Sequence, residues 1–249
     1  MSLLPRTPYP IVSGSRLAAN IQRMQALATH AGVQLRPHTK THKSPVIALM
    51  QLDAGASGVC CAKLSEAEIF ADAGITDIRL PYPVNPSNAD RVLSLLDRVT
   101  LSIIVDDEAV AAEWSRAMTA AGRTLNVLVK VDVGFHRCGV NPDASDVVGA
   151  ITRIAALPGL SFRGLLSHAG QAYNAESPYA PAAITARETG IMTGLATRLR
   201  TSGVAVEEIS VGSTPTASFA PSQRGITEMR PGNYVFLDRT QVGLAAATY

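Results

Sequence analysis

The residues with the clearest capacity for chemistry form one short segment, Arg36-Pro37-His38-Thr39-Lys40-Thr41-His42-Lys43. It contains two lysines, two histidines and an arginine, and it directly follows an apolar run that predicts a strand. A lysine amine forms imines with aldehydes only when it is neutral, so partial burial and neighbouring cations, which lower its pKa, favour that chemistry. The segment therefore predicts an imine-forming lysine. A solvated basic loop is the alternative.

A second segment, Gly212–Thr216, has the composition of a phosphate-binding turn. Gly212, Ser213 and Thr214 are small residues that let backbone N–H groups approach an anion. The pattern alone is weak. It gains weight because it follows a predicted strand, where barrel folds often bind phosphate.

Four more polar side chains follow predicted strands, and each has an alternative structural interpretation. Arg137 could bind a ligand or pair with Asp132 in its own loop. His168 could border a ligand or be a core histidine bonded to a backbone carbonyl. Tyr173 could cover the rim as a loop aromatic, and Arg230 could end a strand at the surface.

Short apolar runs alternate with longer amphipathic segments along the chain, as expected for strands joined by crossover helices. Eight runs predict strands: Val33–Pro37, Gly58–Ala62, Ile78–Tyr82, Leu101–Val105, Leu125–Val131, Phe162–His168, Glu208–Val211 and Tyr234–Leu237. Eight parallel strands predict an α/β fold, a (β/α)8 TIM-type barrel. An open doubly wound sheet is the alternative, but no G-x-G-x-x-G follows the first strand. In either fold the ligand belongs at the carboxyl ends of the strands.

Local signals also delimit helices. Apolar residues recur on one face of Arg16–His30, and Gly32 predicts its end. Ser65 with Glu68 predicts a capping box at a helix start. Pro45 stands where a first helical turn tolerates proline.

Composition limits the partners. The chain has 249 residues, 47% hydrophobic and 17% charged, with a formal net charge of +2 and no runs of Lys or Arg. We therefore expect neither a nucleic-acid nor a membrane partner, but a small molecule. The three cysteines form no disulfide framework, and the N-terminus has no signal-peptide pattern, so we expect a cytoplasmic protein.

The sequence from Arg36 to Ile78 resembles the opening of the D-threonine aldolase and D-serine dehydratase family, whose signature is R-P-H-x-K-[TA]-H-K. The resemblance implies the alanine racemase N-terminal barrel and the cofactor pyridoxal 5'-phosphate. It implies that Lys40 carries this cofactor through an imine bond, with His38 beside it. Lys43 would then be a secondary basic residue.

Other motifs extend the resemblance over nearly the whole chain. The segment from Asp132 to Gly139 is similar to the family's D-V-G-x-x-R-x-G, which implies that Arg137 approaches the phenolic oxygen of the cofactor. The segment containing His168 and Tyr173 is similar to H-x-G-x-x-Y. This motif implies that the histidine borders the cofactor ring and that the tyrosine reaches the substrate.

The segment Glu228–Phe236 is similar to the family's E-x-R-P-G-x-Y-V-F. By this resemblance Gly232 and Asn233 offer backbone N–H groups to the phosphate, as the Gly212-Ser213-Thr214 turn does. Arg230 would face the pyridine nitrogen. Because arginine can only donate, that nitrogen would have to accept and stay unprotonated, which weakens the cofactor as an electron sink.

The resemblance implies a lyase of D-3-hydroxy amino acids, with D-serine dehydratase as the leading hypothesis and Lys40, His168 and Tyr173 as catalytic residues. D-threonine aldolase, an amino-acid racemase and a non-catalytic barrel that binds pyridoxal phosphate are the alternatives. Family members are dimers, which implies a homodimer here.

Family members continue beyond the barrel into a β domain that carries zinc on a histidine–cysteine pair, and this sequence has no such pair apart from His136 and Cys138 of the barrel motif. We therefore interpret residues 1–249 as the barrel domain alone, without metal ligands. We expect such a chain to bind the cofactor yet dehydrate D-serine poorly.

Overall fold

The computed structural model describes residues 11–177, 179–219 and 224–244. Its centre is an eight-stranded sheet in which every pairing is parallel. The strands are β1 Gln34–Leu35, β2 Val59–Cys60, β3 Asp77–Leu80, β4 Thr100–Val105, β5 Leu125–Lys130, β6 Leu160–Leu166, β7 Glu208–Val211 and β8 Glu228–Met229.

The strand order β1-β8-β7-β6-β5-β4-β3-β2 follows the chain, with β1 next to β8. The ring closes between β1 and β2 through a parallel bridge of His38 with Cys60. The backbone N–H of Cys60 donates to the carbonyl of Pro37 at 2.8 Å. The closed order confirms the predicted barrel over the doubly wound alternative, whose strand order reverses at a switch point.

Helices connect the strands and cover the outside of the ring. They are α1 Gly14–Ala31, α2 Pro45–Asp53, α3 Leu64–Asp72, α4 Ala89–Leu96, α5 Glu108–Ala120, α6 Val147–Ala155, α7 Ala180–Thr201, α8 Thr214–Ala217 and α9 Arg239–Gly243. The predicted helix over residues 16–30 is confirmed as α1, and Gly32 ends it in the left-handed conformation at φ 66°. No helix in the described ranges is both long and apolar enough to cross a membrane.

Two local predictions were wrong. The predicted strand Tyr234–Leu237 contains a 3-10 turn instead, and the eighth strand lies earlier, at Glu228–Met229. Tyr234 is buried against α1, so its apolar segment packs as a core turn, which periodicity cannot distinguish from a strand.

The predicted capping box was also wrong, because Ser65 lies inside the first turn of α3. The N-cap residue is Lys63, which makes no side-chain capping bond. Glu66 instead accepts from the backbone N–H of Ala62 at 2.8 Å, and Glu68 pairs with Arg91.

The interior of the barrel holds charges rather than only branched apolar side chains. We define the inner charge cluster as Arg36, Asp77, Arg79, Glu208 and Glu228. Glu228 accepts from Arg36 at 2.6 Å and from Arg79 at 2.5 Å. Asp77 and Glu208 bind the outer ends of the same guanidinium groups at 2.6 and 2.7 Å. The cluster closes one end of the barrel and leaves the carboxyl ends of the strands for a site.

Candidate active site

All but two of the site residues predicted from the sequence line one cleft at the carboxyl ends of the strands. Its volume is about 580 Å³, within the ~300–1,000 Å³ typical of small-molecule sites. The predicted residues that line it are His38, Lys40, Arg137, His168, Tyr173, Gly212, Ser213, Arg230 and Gly232.

The two predicted residues outside the lining, Thr214 and Asn233, lie directly behind it. The hydroxyl oxygen of Thr214 accepts from the backbone N–H groups of Gly232 at 3.2 Å and Asn233 at 2.9 Å. The side chain of Asn233 donates to Asp238 at 2.7 Å. The two predicted phosphate segments are thus joined to each other by hydrogen bonds.

Lys40 is held at the mouth by a 3-10 turn, Thr39–Thr41. Thr39 is fully buried, and its hydroxyl donates to the carbonyl of Cys60 at 2.9 Å. The backbone N–H of Lys40 donates to Nδ1 of His38 at 3.3 Å. Burial lowers the pKa of Lys40, and the positive charges of Arg137 and Arg230 lower it further. The amine therefore has the environment that imine chemistry requires.

Lys43, the other lysine of the segment, has a different environment. Its amine lies 2.5 Å from the carboxylate of Glu66, and 60% of its side chain is exposed. Lys43 therefore has a carboxylate partner, whereas Lys40 has the neighbouring cations Arg137 and Arg230. This contrast supports Lys40 over Lys43 as the reactive residue.

Arg137 lies over two aromatic rings. Its guanidinium carbon is 5.3 Å from the ring centre of Tyr82 and 5.1 Å from that of Phe135, within the range of cation–π contacts. The alternative pairing with Asp132 is wrong, because this carboxylate binds the ring of His136 at 2.8 Å. Arg137 is thus supported by its aromatic neighbours while it lines the cleft.

His168 combines both interpretations made from the sequence. Its Nδ1 lies 2.8 Å from the carbonyl of Gly212, so it is bonded to the backbone, yet the side chain also lines the cleft. A carbonyl only accepts, so the proton is on Nδ1 and Nε2 is the acceptor. Burial and the charge of Lys130 lower the pKa of His168 to about 3, which keeps it neutral.

Tyr173 reaches the same cleft from the 3-10 turn Gly170–Asn174. Its hydroxyl oxygen accepts from the backbone N–H of Thr214 at 3.3 Å. The hydroxyl proton is therefore available for donation. This position connects Tyr173 to the predicted phosphate turn.

Arg230 is 5% exposed, and two hydrogen bonds orient its guanidinium group. Its guanidinium donates to the hydroxyl of Ser210 and to the backbone carbonyl of Ser167. Gly212 packs against it at φ 133°, and a Cβ there would lie 2.7 Å from the backbone nitrogen of Arg230. Glycine is required at this approach because no side chain fits.

Sequence reasoning missed Lys130, at the end of β5. It is 2% exposed, and its amine has no hydrogen-bond partner among the described residues. Burial lowers its pKa to about 7, assisted by Arg230. The signal was present, since a lysine within the apolar run Leu125–Val131 is costly to bury, but it was not used.

The charges that line the cleft have one sign. Its cations are Lys40, Lys63, Arg91, Arg137 and Arg230, and no Asp or Glu lines the cleft among the residues that the structure describes. Glu68 lies outside the lining and neutralises Arg91. The same ranges contain no group of three or more His, Cys, Asp or Glu side chains that could hold a metal ion. The cleft is therefore suited to an anionic organic ligand.

The chain is similar in sequence and in fold to known proteins. The chain is 38% identical over 244 residues to the D-threo-3-hydroxyaspartate dehydratase of Delftia sp. (strain HT23), covering 97% of this chain and 64% of the relative. It is 39% identical over 233 residues to a D-threonine aldolase of Arthrobacter sp., covering 93% and 61%. The D-serine dehydratase of Dictyostelium discoideum is 29% identical over 257 residues, covering 96% and 64%.

The solved structure of the Delftia dehydratase superimposes with a TM-score of 0.93 at 37% identity, covering 98% of this chain and 65% of that one. The chain thus spans a little under two thirds of the length of these relatives. Residues 12–240 match the family described as alanine racemase, N-terminal domain, a family that depends on pyridoxal phosphate. This chain belongs to the alanine racemase N-terminal domain family.

Proposed function

We propose that this chain is the pyridoxal-phosphate-binding barrel of a lyase that removes water from D-3-hydroxy amino acids, as a D-serine dehydratase does. The observation that carries the proposal is the amine of Lys40, whose pKa is lowered by desolvation and by neighbouring cations, in a cleft lined by no described carboxylate. Its similarity to two dehydratases supports the reaction class.

The residues present fit pyridoxal phosphate, which carries an aldehyde, a phenolic oxygen, a ring nitrogen and a phosphate. Lys40 offers the amine for the aldehyde, and Arg137 offers a cation for the phenolic oxygen. The Gly212–Thr214 turn and Gly232 border the cleft with backbone that a phosphate can approach. A Cβ at Gly232 would lie 2.8 Å from the carbonyl of His38, so the close approach depends on glycine.

Arg230 would face the ring nitrogen. Because it can only donate, its partner must be an acceptor, which keeps that nitrogen unprotonated. When bound, the cofactor supplies an electron sink for the bonds at the substrate α-carbon. The barrel supplies orientation and charge.

Three side chains are suited to proton movement. Lys40, with its lowered pKa, can take a proton from the α-carbon once its amine is free. His168 is neutral with Nε2 as an acceptor, so it can accept a hydrogen bond at the cleft. Tyr173 retains a hydroxyl proton that it can donate on the substrate side.

The experiment that tests the proposal begins with cofactor attachment. The chain mixed with pyridoxal phosphate should develop visible absorption, and borohydride reduction should fix the cofactor on the peptide containing Lys40. Attachment to Lys43 would contradict the assignment. Products from D-serine, D-threonine, D-3-hydroxyaspartate and D-alanine then identify the reaction, because dehydration yields a 2-oxo acid and ammonia.

D-threonine aldolase is the second candidate, favoured by the 39% identity to the Arthrobacter enzyme. In that reaction the bond between the α- and β-carbons breaks, and glycine with acetaldehyde is formed. Glycine as the sole product from D-threonine would select it. Interconversion of D- and L-alanine would select a racemase, and cofactor binding without turnover would select a storage role.

The remaining parts of the proposal concern partners. We propose a small D-amino acid as substrate, a homodimer as assembly, the cytoplasm as location, and neither nucleic acid nor membrane as a partner. We also propose that residues 1–249 act as the cofactor-binding barrel domain.

A further inference from the structure

Two buried polar atoms close to the Lys40 turn in the sequence have no hydrogen-bond partner among the residues that the structure describes. They are Nε2 of His42 and Oε1 of Gln51. Gln51 is 1% exposed on α2, the helix that follows the turn directly. Burial lowers the pKa of His42 to about 4, and the side chain of Gln51 acts against this shift, which requires the two groups to be neighbours.

The neighbouring hydrogen bonds determine which of the two atoms is a donor and which is an acceptor. The backbone N–H of Ser44 donates to Nδ1 of His42 at 3.1 Å, so this nitrogen carries no proton. A neutral histidine must then carry its proton on Nε2, which is a donor. Gln51 donates through Nε2 to the hydroxyl of Tyr234 at 2.8 Å, so its Oε1 is an acceptor. The two unpartnered atoms are a matching donor and acceptor.

Pairing these atoms completes a chain of hydrogen bonds with one direction. It runs from Ser44 N–H through His42 and Gln51 to the hydroxyl of Tyr234. Rotating the amide of Gln51 by 180° would place its NH2 group against the N–H of His42, which leaves no acceptor for either. The backbone of Ser44 thus selects the tautomer of His42, and that tautomer selects the orientation of Gln51.

The two ends of this chain belong to the two halves of the proposed site. His42 lies two residues after Lys40. Tyr234 lies two residues after Gly232 and directly follows Asn233. The backbone N–H groups of Gly232 and Asn233 both donate to the hydroxyl oxygen of Thr214, which belongs to the other phosphate segment. The turn also needs support, because Lys43, next to His42, has φ 51°, a conformation that side chains disfavour.

We propose that Gln51 is a positioning residue that locks the Lys40 turn to the phosphate-binding loop through a hydrogen bond from His42 Nε2 to Gln51 Oε1. The role in cofactor binding rests on the proposed function, but the hydrogen bond itself does not. Gln51 does not line the cleft, and it acts through the distance and orientation that it sets between the lysine and the phosphate segments.

The first test needs no cofactor. In the chain labelled with ¹⁵N-histidine at pH 7, His42 should show a protonated Nε2 whose hydrogen exchanges slowly with water. Gln51→Leu, which keeps the volume and removes both bonds, should make that hydrogen exchange fast. Gln241→Leu is the matched control, because Gln241 is also fully buried and its side-chain atoms have no hydrogen-bond partner in the described part of the chain. A proton on Nδ1, or slow exchange that survives in Gln51→Leu, would overturn the hydrogen bond.

The second test measures the dissociation constant of pyridoxal phosphate. Loss of one or two neutral hydrogen bonds predicts weakening by about tenfold in Gln51→Leu and about threefold in Tyr234→Phe, with no change in Gln241→Leu. The double variant should bind no more weakly than Gln51→Leu alone, because the chain is already broken. The positioning role would be overturned if the losses of the two single variants multiplied in the double variant. It would also be overturned if the dissociation constant were unchanged in both single variants.

Tyr234→Phe keeps the proposal testable if Gln51→Leu fails to fold. It removes only the hydroxyl, and it should keep the Nε2–H signal of His42 while weakening the cofactor. If the unsubstituted chain does not attach pyridoxal phosphate to Lys40, the proposed function fails. The histidine spectrum still decides the hydrogen bond in that case.

Discussion

The two ends of the barrel differ in whether their charged side chains are paired with opposite charges. In the inner charge cluster each guanidinium group is bound by carboxylates from neighbouring strands, and Glu228 joins the two. At the mouth, the cations Lys40, Arg137 and Arg230 line a cleft without a described carboxylate, and Lys130 is buried beside them without a described partner. Buried charges need partners. The inner end therefore has a structural role, and the mouth has the charges of a binding site for an anion.

Removing the proposed anchor of the cofactor should have the largest effect. Lys40→Ala should abolish covalent attachment of pyridoxal phosphate after borohydride reduction, because it removes the amine of the lining whose pKa is lowered by desolvation and neighbouring cations. Stability should be nearly unchanged, since side chains at this end of a barrel serve chemistry more than packing. Mass spectrometry of the reduced chain measures the first effect and thermal melting the second.

Lys43→Ala is the matched control for that change. Lys43 is exposed and paired with Glu66, so attachment should persist and the free energy of unfolding should fall by no more than about 1 kcal/mol. Persistent attachment in Lys40→Ala would place the reactive amine elsewhere, and Lys130 would be the next residue to substitute.

Breaking the inner cluster should affect stability and not attachment. Glu228→Gln leaves Arg36 and Arg79 buried without their shared carboxylate, which should lower the free energy of unfolding by about 3–5 kcal/mol. Urea denaturation measures the change. Glu68→Gln, which removes an exposed partner of Arg91, should cost less than about 1 kcal/mol. Equal effects of the two substitutions would contradict a structural role specific to the cluster.

The carboxylate of Glu228 also predicts that the free energy of unfolding falls at acid pH. Burial alone would raise the pKa of Glu228, but Arg79, Arg36 and Arg230 hold it at about 2. The unfolded chain, with a pKa of about 4.3, binds the proton first. The contribution is therefore complete above pH 4.3 and is lost as the pH falls toward 2. It amounts to about 3 kcal/mol at 1.36 kcal/mol per pH unit.

Unfolding curves of Glu228→Gln and the unsubstituted chain between pH 5 and 2 check this prediction. The difference in the free energy of unfolding between them should shrink as the pH falls. A difference that is constant with pH would show that the variant loses packing rather than charge.

Substituting Lys130, the amine at the mouth without a described partner, should change stability in the opposite direction to substituting Glu228. Lys130 has its pKa lowered by burial to about 7, below that of an unfolded lysine near 10.4. Stability of the ligand-free chain should therefore rise as the pH increases from 7 to 10. Lys130→Met should flatten that slope and raise the free energy of unfolding at pH 7 by about 1–2 kcal/mol.

Lys63→Met, at an exposed position, is the control and should leave the slope unchanged. A lower stability for Lys130→Met would mean that the amine has a partner in solution, and the contrast between the two ends of the barrel would then be weaker.

The sequence by itself determined the barrel and the chemical character of its mouth. Alternating apolar runs and helical segments predicted eight strands because these periodicities are local properties of the chain. Residue types around Lys40 left an imine-forming lysine and a solvated basic loop both open, and the family resemblance favoured the lysine. The motifs containing Arg137, His168 and Arg230 came together in one cleft because the ends of parallel strands meet at one face.

Only the tertiary structure decided which groups are paired. Lys40 and Lys43 are equivalent in composition, and the difference between them arises from Glu66, 23 residues after Lys43. The burial of Lys130 depends on side chains from other strands, and the tautomer of His42 depends on Ser44 and Gln51. The eighth strand was misplaced because Tyr234 packs against a helix more than 200 residues earlier in the chain. A pKa, a tautomer and a strand–turn choice are set by neighbours in space, and local patterns do not contain them.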